Sequence, residues 1–149
     1  LDSDKKVLII NGPNINLLGI REPDIYGNLR YKELENLLKK EGEKLGLCVI
    51  CFQSNSESAI IERIHKAKEE KVDFIIINAA AFTHTSIAIR DALAGVAIRF
   101  IEVHISNIFK RENFRQKSYL SGIAEGVIAG FGINGYLFAL KQVSLLLNI

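Results

Sequence analysis

Glu102 and His104 lie two residues apart in I-R-F-I-E-V-H-I-S-N-I-F-K-R-E-N-F-R, residues 98–115. The apolar, β-branched start of this stretch predicts a strand over 98–103. Side chains two apart on a strand share a face, with Cα atoms roughly 6–7 Å apart. A carboxylate so placed orients an imidazole, and the oriented imidazole is an acid suited to neutral pH. Such pairs are also common as buried structural contacts. Both residues, however, fall at the carboxyl end of a strand, where ligands gather in parallel sheets. Ser106, Asn107, Arg111 and Arg115 follow at once, and small polar groups with two guanidiniums suit an oxygen-rich anion.

Two other stretches carry residues that complete such a site. The connection 12–30 holds both prolines and three glycines, and loops of that length in compact domains are usually functional or disordered. Within it Arg21 and Tyr26 lie between Gly19 and Gly27. A phenol is a poor base at neutral pH. A guanidinium at about 4 Å contributes up to ~4 kcal/mol at an effective dielectric of ~20, enough to populate the phenolate. The same loop, pinned by Pro23, has the composition of a closing lid. After a third apolar run come Asn78, Thr83, His84, Thr85 and Ser86, where a helix begins. Capping accounts for the Thr and Ser, whereas Asn78 and His84 exceed what capping requires.

The elements that must position these residues alternate in type. Strands are predicted over 6–11, 47–52, 72–78, 98–103 and 126–131. Helices are predicted over 31–46, after a Ser54-x-x-Glu57 capping box, from about 86 to 95, and over 136–147; 105–120 reads as irregular. Alternating apolar strands and helices mean right-handed βαβ units with helices on both faces. The expected fold is a flavodoxin-like α/β three-layer sandwich, a five-stranded parallel sheet of probable order 2-1-3-4-5, in one catalytic domain spanning 1–149. Ligands in such sheets bind beyond the carboxyl ends, where strand order reverses.

Composition narrows the function classes. A net charge of +2 with no basic cluster argues against nucleic acid or anionic membranes as partners. The apolar run 136–149 is shorter than the ~20 residues of a membrane span. Residues 1–6 lack the order of a signal peptide, so a cytoplasmic protein is expected. Cys48 and Cys51 have C-x-x-C spacing, but in what reads as a buried strand they point to opposite faces and cannot pair. His65, among Arg63, Lys66 and Lys68, reads as a solvated face. G-x-G-x-x-G over 130–135 lacks the following strand and acid of a dinucleotide site and reads as a tight turn. No His/Cys/carboxylate set has metal-ligand spacing.

Taken together, N-G-P-N-I-N-L-L-G from Asn11, R-E-P-D-I-Y-G from Arg21, T-H-T-S-I-A-I-R-D-A from Thr83 and E-V-H-I-S-N-I from Glu102 resemble the signatures of the type II 3-dehydroquinate dehydratases. R-E-N-F-R from Arg111 and G-F-G-I-N-G-Y from Gly130 fit the same family, so the resemblance covers nearly the whole chain. It implies a cofactor-independent lyase converting the anion 3-dehydroquinate to 3-dehydroshikimate in the shikimate or quinate pathway. Tyr26 would be the base and Arg21 its activator. Asn14 would hold a water that stabilises an enolate, and His104 supported by Glu102 would protonate the leaving hydroxyl. Asn78, Ile105 and Ser106 would bind substrate, and His84 and Arg115 its ring hydroxyls. Asp91 would reach a neighbouring subunit's site and Arg111 would sit near the lid. The family's homo-oligomer of trimers packed into a dodecamer is expected, in keeping with a mean hydropathy of +0.16.

Three positions depart from the family pattern. Ala80 stands where Gly is usual, and if that position needs a positive φ, Ala costs about 1–2 kcal/mol. Phe109 and Lys110 stand where His and a small residue are common. A non-catalytic flavodoxin-like binding or signalling module is the competing expectation. A receiver, however, wants acids where Asn11 and Asn78 stand, and a flavin site wants hydroxyls where Pro13, Leu17 and Leu18 stand. The lysine-imine dehydratases use a (β/α)₈ barrel of about 250 residues, which this chain is too short to form. An inactive homologue is kept open only by the three departures.

Overall fold

In the computed structural model, which describes residues 4–20 and 28–149, five parallel strands form one sheet. They are β1 (Lys5–Asn11), β2 (Leu47–Gln53), β3 (Phe74–Asn78), β4 (Phe100–His104) and β5 (Gly126–Ala129). Their order, β2-β1-β3-β4-β5, is the one expected, and it reverses between β1 and β3. Four helices cover the sheet: α1 (Tyr31–Lys44), α2 (Glu57–Glu69), α3 (Ile87–Val96) and α4 (Asn134–Leu146).

Strand alternation divides the core into two layers. Val7, Ile9, Phe74, Ile76, Ile101 and Val103 face one way and pack with Leu34 and Leu38 of α1 and Tyr136, Leu140 and Val143 of α4. Leu8, Ile10, Ile75, Ile77 and Phe100 face the other way, against Ile60 and Ile64 of α2 and Ile89 and Leu93 of α3. The central strands are apolar on both faces because both faces are covered. This parity carries into the polar residues that end the strands. Asn11 and Asn78 emerge on the α1/α4 side, Glu102 and His104 on the α2/α3 side.

Several local expectations need correction. α2 is capped by Ser56, whose hydroxyl accepts from Ala59 N at 3.2 Å, and not by Ser54. Ser56 is the last extended residue, so Glu57 opens the helix and cannot close a box with Ser54, whose hydroxyl accepts from Ser56 N instead. β4 begins at Phe100 rather than 98 and includes His104, so the whole acid pair lies on regular strand. β5 stops at Ala129, because Gly130 turns to φ 96. Cys48 and Cys51 are half-buried rather than buried, since β2 is an edge strand. Both are free thiols. Only Cys51 packs on the α1/α4 layer, where burial, with Glu35 beside it, pushes its thiol up to about 12. Gly130 and Gly132 both have positive φ, and their turn docks onto the strand ends through Gly130 N to His104 O and Gly132 N to Ile105 O. Among the described residues no helix is long and apolar enough to cross a membrane.

Candidate active site

β4 holds Glu102 at zero exposure and His104 nearly so. His104 Nε2 bonds Glu102 Oε2. Two hydroxyls complete the carboxylate's shell, Ser121 Oγ to Oε1 at 2.7 Å and Ser118 Oγ to Oε1 at 3.1 Å. Ser118 Oγ itself accepts from Leu120 N and Ser121 N, which leaves its single hydrogen for Glu102. Burial alone pushes the Glu102 carboxyl up. The hydrogen bonds from His104, Ser121 and Ser118 outweigh it and hold the group below its ordinary range. An ionised carboxylate only accepts, so Nε2 is the donor. Nδ1 is therefore the ring nitrogen left to exchange a proton with a ligand.

His104 forms one wall of a cleft beyond the carboxyl ends of β1, β3 and β4, at the reversal of strand order. Asn14, Asn78, His84, Ile105, Ser106, Arg111 and Arg115 line the same cleft, with Pro13, Ile15, Ala80, Ala81 and Ile108 as its apolar parts. Eight of the expected site residues thus converge, counting His104, and Glu102 stands directly behind it. Asn78 reaches the cleft from the opposite sheet face to His104, so the ligand space lies across the sheet's upper edge. The chain can pass this closely only because position 12 is glycine, where a Cβ would fall 2.3 Å from Ala79 O. Ala80, next in that turn, has φ 53. The conditional expectation of strain there is met, and the Asn78 side chain holds the turn by accepting from Ala80 N at 3.1 Å.

His84 enters from a single 3₁₀ turn, Ala80–His84, that precedes α3. Its ring stacks on that of His104, with centroids 6.3 Å apart. Burial lowers its pKa, reinforced by His104 and Arg115 and opposed by the Lys117 carbonyl and Glu102. Nδ1 lies 2.7 Å from Lys117 O. A carbonyl only accepts, so Nδ1 carries the hydrogen and Nε2 of the neutral ring offers a lone pair. Arg111 reaches Ser106 Oγ at 3.4 Å. Glu112 takes one N–H of Arg115 at 2.8 Å, and that guanidinium lies over the Phe114 ring at 5.0 Å. The cleft therefore combines guanidinium, amide and hydroxyl donors with an imidazole acceptor, as a polyhydroxylated carboxylate requires.

Asp91 is not in this cleft. It lies on the exposed side of α3, lining a groove with His65, Lys68 and Glu69. Arg21 and Tyr26 lie outside the described residues. Ser118 and Ser121 were not anticipated. They sit 16 and 19 residues beyond Glu102 in a stretch with no periodicity, and nothing in their local sequence marks them as partners of a carboxylate. The pairing of Asn11 and Asn78 with Tyr136 was missed for the same reason. Among the described residues no group of three or more His, Cys, Asp or Glu side chains converges as a metal ion would need.

A family model described as Dehydroquinase class II matches residues 5–144. A 3-dehydroquinate dehydratase of Buchnera aphidicola subsp. Schizaphis graminum is 62% identical over 138 residues, covering 93% of each chain. One from Legionella pneumophila (strain Corby) is 56% identical over 139 residues, covering 93% of this chain and 96% of that one. Among solved structures, the type II dehydroquinase from Butyrivibrio crossotus superimposes with a TM-score of 0.93 at 48% identity, covering 95% and 98% of the two chains. That from Propionibacterium acnes superimposes with a TM-score of 0.91 at 43% identity, covering 95% and 97%.

Proposed function

The chain belongs to the class II dehydroquinases and is a 3-dehydroquinate dehydratase of the shikimate pathway, and we propose how its residues divide the reaction. Tyr26, activated by Arg21, takes the proton from the carbon beside the ketone, and the C–H electron pair moves into an enolate. A water held near Asn14 stabilises the enolate oxygen. The enolate then reforms the ketone while the C–OH bond breaks, and His104 Nδ1 gives its proton to the departing hydroxyl. The products are water and the conjugated enone 3-dehydroshikimate. Base and acid return to their starting states by exchanging protons with solvent, and no cofactor enters the balance.

The observation that carries this reading is the buried Glu102–His104 pair opening onto a cleft that also receives Asn78, Ser106 and Arg115. Glu102 sets the ring by accepting from Nε2 and leaves Nδ1, the nitrogen that exchanges a proton, on the ligand side. Asn78, Ile105 and Ser106 hold the substrate, the latter two partly through backbone amides. His84 and Arg115 hold ring hydroxyls, and Arg111, on the same cleft wall, adds a second guanidinium for the substrate. Asp91 acts in the site of a neighbouring copy, a reading supported by its position outside the cleft of its own chain. This fits a homo-oligomer of trimers assembled into a dodecamer, with 1–149 acting as one catalytic domain in the cytoplasm.

The test is spectroscopic. Purified protein mixed with 3-dehydroquinate, without metal or nucleotide, should generate the ultraviolet absorbance of a conjugated enone. Borohydride added with substrate should leave the activity intact, since no lysine imine forms. A flat trace from an intact oligomer would reject the assignment.

A further inference from the structure

A polar chain behind the cleft joins Asn78 to two residues that the reaction scheme does not use, Tyr136 and Asn11. Asn11 and Asn78 end β1 and β3, are register partners, and emerge on the α1/α4 face. Tyr136, in the first turn of α4, is fully buried and does not line the cleft. Asn78 Nδ2 donates to Tyr136 Oη at 2.9 Å, and Tyr136 Oη donates to Asn11 Oδ1.

The direction of every link follows from one backbone group. Ala80 N can only donate, so the Asn78 atom 3.1 Å from it must be the oxygen. The nitrogen then faces Tyr136, and the phenol receives an N–H. A phenol has one hydrogen, which must go to the remaining neighbour, Asn11 Oδ1. Burial pushes the Tyr136 pKa upward, so the phenol stays neutral and keeps that hydrogen. Asn78 is thereby clamped at both ends of its amide, and among the described residues its second N–H has no partner.

We infer that Tyr136 is a positioning residue for the reaction, its hydroxyl anchoring the Asn78 amide so that the remaining N–H meets an oxygen of bound 3-dehydroquinate. This rests on the reading of Asn78 as a substrate contact. Tyr136 touches no substrate itself. It acts as a fixed acceptor because Asn11 occupies its hydrogen.

A double-mutant cycle on the full chain tests this, with Tyr136→Phe, Asn78→Ala and the pair assayed for KM and kcat. Circular dichroism and denaturation midpoints serve as controls of folding. Tyr136→Phe should raise KM about five- to tenfold, the weight of one neutral hydrogen bond, while kcat moves by less than about twofold. In the Asn78→Ala background the same substitution should leave KM unchanged, because the residue it acts through is gone. A Tyr136 with a merely structural role would lower the midpoint and leave KM alone in both backgrounds, which overturns the inference. An equal KM change in both backgrounds overturns it as well. If Asn78→Ala alone leaves KM unchanged, the substrate contact fails and the inference falls with it. Should Tyr136→Phe not fold, Asn11→Ala breaks the chain one link on. It is expected to raise KM at least about twofold and to lose that effect in Asn78→Ala, and no change in KM would again overturn the inference.

Discussion

Ser121 Oγ donates to Glu102 Oε1 at 2.7 Å, joining the loop before β5 to the buried acid pair of β4. With Ser118 on the same oxygen, it offsets the burial that would otherwise favour a protonated Glu102. A hydrogen bond to a charged group contributes about 1.5–3 kcal/mol. Removing both in Ser118→Ala/Ser121→Ala should let Glu102 protonate at higher pH and release its hold on His104. Turnover at neutral pH is expected to fall at least about tenfold. The acid limb of the kcat/KM profile should move to higher pH, and each single variant should move it less. An acid limb that stays in place would show that Glu102 does not govern the acid.

His104→Ala and Tyr26→Phe remove opposite halves of the proposed proton traffic. General acid or base catalysis contributes about 10²- to 10⁴-fold, so each should cost orders of magnitude in kcat with the fold retained. Near-normal rates in either variant would overturn its role. Because the two groups serve successive steps, Tyr26→Phe should also abolish exchange of the substrate's α-hydrogen with solvent deuterium, read by NMR. His104→Ala should retain measurable exchange while failing to release product.

Stability should depend on pH through two groups of the site. His84 titrates below its ordinary 6.5 because burial, His104 and Arg115 oppose the imidazolium. Between its folded value and 6.5 the unfolded chain binds a proton that the folded chain refuses, so stability rises with pH across that window. Glu102 is lowered from 4.5; its contribution is complete above that value and is lost as pH falls through the folded one. Urea midpoints should therefore hold steady above about 6.5, decline below it and decline again below about 4.5. His84→Asn should flatten the first decline and Glu102→Gln the second. A first decline that survives His84→Asn would assign it to another group.

Much of this site was legible because strand periodicity is strict. Two residues apart on a β-strand means one face, and that alone placed Glu102 beside His104. Alternating elements likewise imply the sheet and its binding edge, which bring Asn78, His84 and Ser106 to one end of the strands. What stayed hidden depends on long loops folding back. Ser118 and Ser121 carry no periodic signal, and their contact with Glu102 exists only once the chain has crossed over α3. Tyr136 reads as the start of the closing apolar helix, and nothing local says that its hydroxyl meets two strand ends. Ser54 misled for the opposite reason. Its motif was sound, but a second serine two residues later took the cap.

Ala80 carries φ 53 in the turn between Asn78 and His84. A left-handed Ala costs about 1–2 kcal/mol, partly offset because Gly would lose more backbone entropy on folding, about 0.5–1 kcal/mol. Ala80→Gly should then stabilise the fold by about 0.5–1 kcal/mol. That corresponds to roughly 1.5–3 °C in midpoint for a chain of this size. Ala97, at φ 56 after α3, is an exposed position of the same kind far from the cleft, and Ala97→Gly should give a comparable gain. A lower midpoint for Ala80→Gly alone would mean that its methyl packing on the α1/α4 layer outweighs the backbone strain.

Asp91 supplies the sharpest test of whether one chain makes a whole site. It stands on α3 beside His65 and Lys68 and outside the cleft that holds His104, and in the proposed assembly it acts on another copy. Asp91→Ala and His104→Ala homo-oligomers should each be strongly impaired. When the two are denatured together and refolded as a mixture, some sites combine an intact His104 with an Asp91 donated by the neighbouring His104→Ala chain. Activity should then rise above that of either variant refolded alone, reaching an appreciable fraction of wild type set by random assembly. Simple mixing without refolding should restore nothing, because preformed oligomers keep their own neighbours. A refolded mixture no more active than its components would confine Asp91 to its own chain and remove the reason for a shared site.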